Sequence, residues 1–494
     1  MQYTSTRDGN NAVLSSQCLL SGIAPDGGLF VPLEFPQLSM QEIINLKNMS
    51  YTDRAYEVLS RFLTDFSPRE LKNCIKKAYG TKFETDEIVP LHFLGNSEAV
   101  LELFHGPTLA FKDIALQILP HLLTCAKEKE GETSEILILV ATSGDTGKAA
   151  LDGFCDVAGI RIAVFYPAEG VSLMQKLQML TQEGKNVSVC AVKGNFDNAQ
   201  TGVKHIFADK EINTQLLAKN IKLSSANSIN WGRLVPQIVY YFSAYADLLK
   251  QGKITEGQEI NFVVPTGNFG NILAGYYAMR MGLPIHKLIC ASNNNNVLTD
   301  FFNQGQYDAN RAFHKTISPS MDILISSNLE RLLYELCDRE PQLVSAFMSR
   351  LKIIGKYEIT DSMHEQLKLR FAAGYAGEEK TKATIKRTYE LFGYIMDPHT
   401  AVAQSVFEEY CASSNDTTFT VVLSTASPYK FPSDVINAIH NGTVTDEFIA
   451  AQQLLELGLP MPKAIQGLAD KPLLHQAVCE QEQMGEFILF NLGE

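Results

Sequence analysis

The chain has 494 residues, of which 45% are apolar and 20% charged, with a net charge of −13. That length exceeds what one hydrophobic core usually serves, so a globular protein of two or three domains is expected. The acidic balance, with no block of lysines and arginines, excludes a nucleic-acid surface but leaves room for a local pocket that binds a small anion.

In chain order, the first 95 residues carry Gly-Pro turns in GIAPDGGLFVP (22–32), followed by charged amphipathic helices through about residue 80. They read as a separate N-terminal module. Six short apolar, β-branched runs follow: ILILVAT (136–142), IRIAVFYP (160–167), NVSVCAVKG (186–194), EINFVVPT (259–266), HKLICASN (286–293) and FTVVLSTAS (419–427). Their near-continuous hydrophobicity is the pattern of parallel strands buried on both faces. Segments with helical spacing lie between them, such as NILAGYYAMRMG (271–282), which stops at a glycine with Pro284 just beyond. The fold class is therefore α/β: two three-layer domains with mostly parallel sheets, plus the N-terminal helical and mixed module. Boundaries are expected at 1–95, 96–240, 241–435 and a helical tail, 436–494, in which EFILFNL (486–492) could return as a strand. Ligands of such sheets sit beyond the carboxyl ends of the strands.

Nine cysteines at 18, 74, 125, 155, 190, 290, 337, 411 and 479 include no C-x-x-C pair and make an odd total. They fit neither a disulfide framework nor a zinc site and point to a reducing compartment. MQYTSTRDGNN lacks a basic segment leading into an apolar core, and no stretch is long enough to span a bilayer. A cytoplasmic protein with no membrane partner and no bound metal is expected.

Four stretches carry chemistry. In FHGPTLAFKDIALQIL (104–119), Lys112 sits among apolar residues, where loss of hydration lowers its pKa and frees a neutral amine. The plain alternative is a lysine paired with Asp113 or snorkelling from a helix. The turn in ILILVATSGDTGKAAL (136–151) looks like a nucleotide loop, yet only Asp145 and Thr146 separate Gly144 from Gly147-Lys148, and Ala149 stands where a metal ligand belongs. A P-loop is excluded on both counts. In EINFVVPTGNFGNILAG (259–275), a glycine-rich turn runs from strand to helix, offering N–H groups and a helix dipole to a phosphate. It is no dinucleotide fingerprint, since its glycines are misplaced and the next strand ends in Ser292 and Asn293 without a ribose-binding acid. A plain strand-to-helix turn is equally compatible with it. Finally, Asn227, Ser228 and Arg233 of NSINWGRL (227–234) could hold a second phosphate or could merely cap a helix. One lysine and one phosphate cup suggest pyridoxal phosphate, with Ser424 and Thr425 at a strand end offering hydroxyls to a pyridine nitrogen. Those hydroxyls could equally satisfy turn backbone.

YTSTR, GGLFVP, HGPTLAFKD, ATSGDTGKAA, FYPAEGVSLMQKLQM, NSINWGR, VPTGNFGN, SPSMDILISSNLERLL, DPHTAVA and LSTASPYKF occur in one order along the chain. Together they resemble the threonine synthase family, pyridoxal-phosphate enzymes of the tryptophan-synthase-β fold type, nearly end to end. The resemblance implies two α/β domains around a cofactor cleft. It implies that Lys112 bonds the cofactor aldehyde and shuttles protons. It further implies that Gly267, Asn268, Phe269, Gly270 and Asn271 hold the cofactor phosphate and that Thr425 faces the ring nitrogen. Ser143, Asp145 and Thr146 would grip the substrate α-carboxylate, with Asp145 contacting an amine or fixing the loop; Asn227, Ser228 and Arg233 would take the substrate phosphate. The implied reaction, the last step of threonine biosynthesis, converts O-phospho-L-homoserine and water to L-threonine and phosphate in a site closed to bulk water. Many members have A-H-P-A-K-F where this chain has Ala426-Ser427-Pro428-Tyr429-Lys430-Phe431, which puts any role of that histidine in doubt. The rivals are a phospholyase on the same scaffold, releasing a 2-oxo acid, and a binding protein that kept the fold and lost the chemistry.

Overall fold

The six β-branched runs all become strands: Glu135–Ala141, Ile160–Pro167, Val187–Val192, Ile260–Pro265, Ile285–Ser292 and Thr420–Ser424. A computed structural model, which describes residues 1–9, 12–142, 144–169 and 171–491, divides them between two sheets. The larger sheet has the order Phe371–Tyr375, Ile285–Ser292, Ile260–Pro265, Thr420–Ser424, Glu98–Glu102, Leu91–Phe93. All its neighbours run parallel except the last pair. The smaller has the order Ala477–Cys479, Val187–Val192, Ile160–Pro167, Glu135–Ala141, Ile221–Ser224, parallel throughout.

Continuous hydrophobicity follows from two covered faces. In the larger sheet, Phe262, Val264, Leu288 and Val421 pack with Ile272, Leu273 and Tyr241. Their chain neighbours Val263, Ile289 and Val422 pack with Val402, Ala403 and Val406 of the helix Pro398–Ser414. The expected α/β class with mostly parallel sheets holds. Neither sheet is one stretch of sequence, however: residues 91–102 join strands from 260–424, and the tail's Ala477–Cys479 joins strands from 135–224.

That tail strand corrects one expectation. EFILFNL is not a strand; Met484–Asn491 forms a helix, with Met484 and Ile488 buried one turn apart and Phe487 packed on Phe165, ring centroids 5.7 Å apart. A short apolar run suits a buried helix as well as a strand, and the edge beside Val187–Val192 is already filled by Ala477–Cys479.

In the N-terminal module, Ser50 and Ser67 cap the helices Tyr51–Phe62 and Pro68–Tyr79, each accepting a backbone N–H of the first turn. Tyr3 and Phe62 pack on fully buried Trp231, with ring centroids 5.2 and 5.6 Å away. The module thereby anchors the start of the long helix Trp231–Lys250, which carries Arg233. Among the described residues, no helix is long and apolar enough to cross a membrane.

Candidate active site

Four strands deliver their next residues to one place. Beyond Ala141 come Gly144 and Asp145, beyond Ser224 the segment 227–233, beyond Pro265 the turn 267–271, and beyond Ser424 comes Thr425. Lys112 opens a short helix, Lys112–Leu116, set against the last of these: Phe111 N–H donates to the Thr425 carbonyl at 2.9 Å. Leu109, three residues before the lysine, and Phe269 in the glycine turn both have φ of +64°. Bulky side chains seldom adopt this left-handed conformation, and such strain clusters at functional sites.

The Lys112 side chain is 12% exposed, and its Nζ donates to Asp145 Oδ2 at 3.3 Å and to Ser320 Oγ at 3.2 Å. Loss of hydration pulls its pKa down; Asp145 opposes this, while Lys430 and Arg233 add to the fall by repulsion. Asp113, the partner in the plain alternative, is turned away, accepting Thr108 N–H at 2.8 Å and Thr108 Oγ at 2.6 Å. Asp145 has further partners in Ser320 Oγ at 2.9 Å, Gln175 Nε2 at 2.8 Å and Lys430 Nζ at 3.0 Å. Burial alone would raise its pKa, but Lys430 and Lys112 hold it well below the usual carboxylate range.

In the turn after Pro265, Gly267 is needed for closeness, since a Cβ there would lie 2.7 Å from the Ser320 carbonyl oxygen. Phe269 precedes the helix Gly270–Arg280. Asn271 Oδ1 accepts the hydroxyls of Tyr240 at 2.6 Å and Tyr241 at 2.9 Å, which leaves its buried Nδ2 without a partner among the described residues. A glycine turn at a helix N-terminus, an unpartnered amide nitrogen and a lysine of depressed pKa fit the phosphate and aldehyde of pyridoxal phosphate.

Arg233 is 3% exposed and donates from Nη1 to the Ala226 carbonyl at 2.5 Å, while its Nε has no partner among the described residues. Burial alone pushes its pKa down to about 10. A buried guanidinium without a carboxylate is a receptor for an anion. Ser228 is half-buried and Asn227 exposed. Asn328 links this element to the glycine turn, its Nδ2 lying 3.4 Å from Ser228 Oγ and 2.9 Å from the Asn268 carbonyl oxygen. Its Oδ1 accepts Arg331 Nη1 at 2.5 Å.

These contacts link Lys112, Asp145, Gly267 to Asn271, Ser228, Arg233 and Thr425 into one region, with Thr146 half-buried one residue beyond Asp145. Ser143 lies outside the described residues. Sequence reasoning missed Lys430, Ser320, His399 and Asn328 as site residues. His399 Nδ1 lies 2.6 Å from Asp397 Oδ2, and its Nε2 accepts Ser320 N–H at 3.1 Å, a pair of bonds that assigns the ring proton to Nδ1. Ser320 lies in the one-turn 3-10 helix Pro319–Met321 and Asn328 at the start of the helix Leu329–Leu336, positions where hydrophobic periodicity carries no signal. Ser427 caps the turn Pro428–Lys430 by accepting Tyr429 N–H at 3.3 Å.

Residues 2–79 match the family described as Threonine synthase N terminus, residues 90–347 the Pyridoxal-phosphate dependent enzyme family, and residues 400–488 Threonine synthase, C-terminal. Threonine synthase of Pseudomonas aeruginosa is 40% identical over 439 residues, covering 89% of this chain and 90% of that protein. Human threonine synthase-like 1 is 41% identical over 488 residues, covering 96% of this chain; the chain spans 63% of that relative's length. The crystal structure of pyridoxal-phosphate-bound threonine synthase from Brucella melitensis superposes with a TM-score of 0.89 at 37% identity, covering 99% of both chains. The chain belongs to the threonine synthase family of pyridoxal-phosphate dependent enzymes.

Proposed function

We propose that this protein is an enzyme, a pyridoxal-phosphate-dependent lyase that converts O-phospho-L-homoserine and water to L-threonine and phosphate. Arg233 carries the reading. It is a buried guanidinium with no carboxylate partner, near enough to Lys112 to depress its pKa, and Asn328 links its element to the glycine turn. A site with two anion cups flanking one amine suits a phosphorylated amino acid bound beside a phosphorylated cofactor.

Pyridoxal phosphate, when bound, supplies an aldehyde that takes the substrate amine and a ring that accepts the charge left on the substrate's carbons. Gly267, Asn268, Phe269, Gly270 and Asn271 hold its phosphate, Lys112 its aldehyde and Thr425 its ring nitrogen. Asn227, Ser228 and Arg233 bind the substrate phosphate and steady it as it leaves, the guanidinium offering a fork of donors to its oxygens. Ser143 and Thr146 orient the α-carboxylate. Lys112 Nζ, held as a neutral amine by its dry surroundings, takes the proton from Cα, is relieved of it before it takes one from Cβ, and returns one proton to Cγ as phosphate leaves and one to Cα after water has added at Cβ. Asp145 and Ser320 steer that amine between these positions through the contacts they make with it. The nine cysteines, all free thiols, support a workplace in the reducing cytoplasm.

Incubating the purified protein with pyridoxal phosphate and phosphohomoserine tests the reading. Threonine and phosphate in equal amounts are expected; 2-oxobutyrate as the sole organic product would replace the synthase with a phospholyase.

A further inference from the structure

Lys430 has no part in the steps above, yet it is the most tightly held cation of the site. Its side chain is fully buried, and Nζ reaches three acceptors: Thr108 O at 2.8 Å, Asp145 Oδ1 at 3.0 Å and Gln178 Oε1 at 3.2 Å. An ammonium has three protons, so each is taken. Lys112 is held more loosely, by contacts of 3.3 and 3.2 Å to Asp145 Oδ2 and Ser320 Oγ. Asp145 therefore lies between a fixed lysine and a releasable one, with Gln175 on the fixed side.

This inference rests on the proposed reaction, which needs Lys112 as a neutral amine. A buried carboxylate with Lys112 as its sole counterion would oppose that, because it would favour the ammonium and would be stranded once the ammonium lost its proton. We propose that Lys430 is a positioning residue for the reaction, a permanent counterion of Asp145 that lets Lys112 leave the ion pair without stranding the carboxylate. The charged groups facing Lys112 are Asp145, Lys430 and Arg233, with His399 and its partner Asp397 behind Asp145. Two lysines thus share one carboxylate at the centre of the site. Lys112, the more loosely held of the two, is the one that gives up its charge. Lys430 acts on it twice, by direct repulsion and by occupying the other carboxylate oxygen.

The test uses the protein without cofactor: trace acetylation with acetic anhydride across a pH series, read at the Lys112 peptide by mass spectrometry, with melting curves alongside. Lys430→Met and Lys430→Gln are expected to move the Lys112 profile to higher pH, slowing its acetylation at about pH 8 by roughly tenfold. Lys430→Arg, which keeps the charge, is expected to retain the wild-type profile. A purely structural lysine would lower the melting temperature and leave the Lys112 profile in place, so an unmoved profile in either folded neutral variant overturns the proposal. If neither neutral variant folds, Lys430→Arg decides, and a Lys112 profile shifted away from wild type overturns it. Because the assay contains neither cofactor nor phosphohomoserine, its outcome is separate from whether the wild type makes threonine.

Discussion

The Tyr240 hydroxyl donates to Asn271 Oδ1 at 2.6 Å, and with Tyr241 on the same oxygen at 2.9 Å the amide orientation is fixed. Its nitrogen is left buried and unpartnered beside the glycine turn. Asn271→Asp keeps an acceptor for both phenols but replaces two N–H donors with a negative charge. Titrating the protein with pyridoxal phosphate and following absorbance should show Kd raised about 100-fold, the loss of a charge-assisted bond plus repulsion. An unchanged Kd would remove Asn271 from the cofactor site.

Arg233 is expected to separate function from stability. Removing a buried charge that has no counterion does not weaken a fold as breaking an ion pair would, so Arg233→Met should melt at or above the wild-type temperature. The same variant should raise KM for phosphohomoserine about 100-fold and lose inhibition by inorganic phosphate. Arg233→Lys restores charge without the planar fork and should recover only part of the affinity. A melting temperature several degrees lower in Arg233→Met would assign the guanidinium a structural task instead.

Gly267 and Gly270 make a contrasting pair. A Cβ on Gly267 would meet the Ser320 carbonyl oxygen at 2.7 Å, a backbone atom that moves only with its turn, whereas one on Gly270 would lie 3.6 Å from the nearest atom, Asn328 Nδ2. Gly267→Ala should therefore destabilise by about 1–3 kcal/mol in denaturant titrations and weaken cofactor binding, since Ser320 also touches Lys112. Gly270→Ala should leave stability within about 0.5 kcal/mol.

Glu98 gives a pH-dependent prediction away from the site. Burial pushes its pKa up to about 7, with Gln404 lowering it and Glu408 raising it further. A carboxyl raised in the folded state contributes stability that is complete below the unfolded value and is lost as pH rises through about 7. Glu98→Gln should thus gain about 1–3 kcal/mol over wild type at pH 8 and little at pH 4. Melting curves at the two values check it; an equal difference at both would discard the ionisation account.

Much of this molecule is legible in one dimension. Strands buried on both faces leave continuous β-branched runs, and the structure begins and ends each of them within a few residues of the expected limits. Lys112 and the glycine turn are legible because each requires a local composition: an apolar neighbourhood in one case, and residues that admit close approach in the other. EFILFNL is ambiguous between helix and strand because a short apolar run does not say which neighbour will cover it, and sheet order settles that.

The partners of Asp145 were decided elsewhere. Lys430, Ser320 and Gln175 reach its carboxylate from three separate segments, and His399 holds Ser320 from a fourth. Nothing in the residues around any one of them announces the others. The sequence by itself determined the elements and the chemistry each could offer, because helix and strand periodicity, glycine freedom and side-chain functional groups are local properties. Only the tertiary structure decided which charges share a site, because an ion pair depends on distance through space and on the water that packing removes.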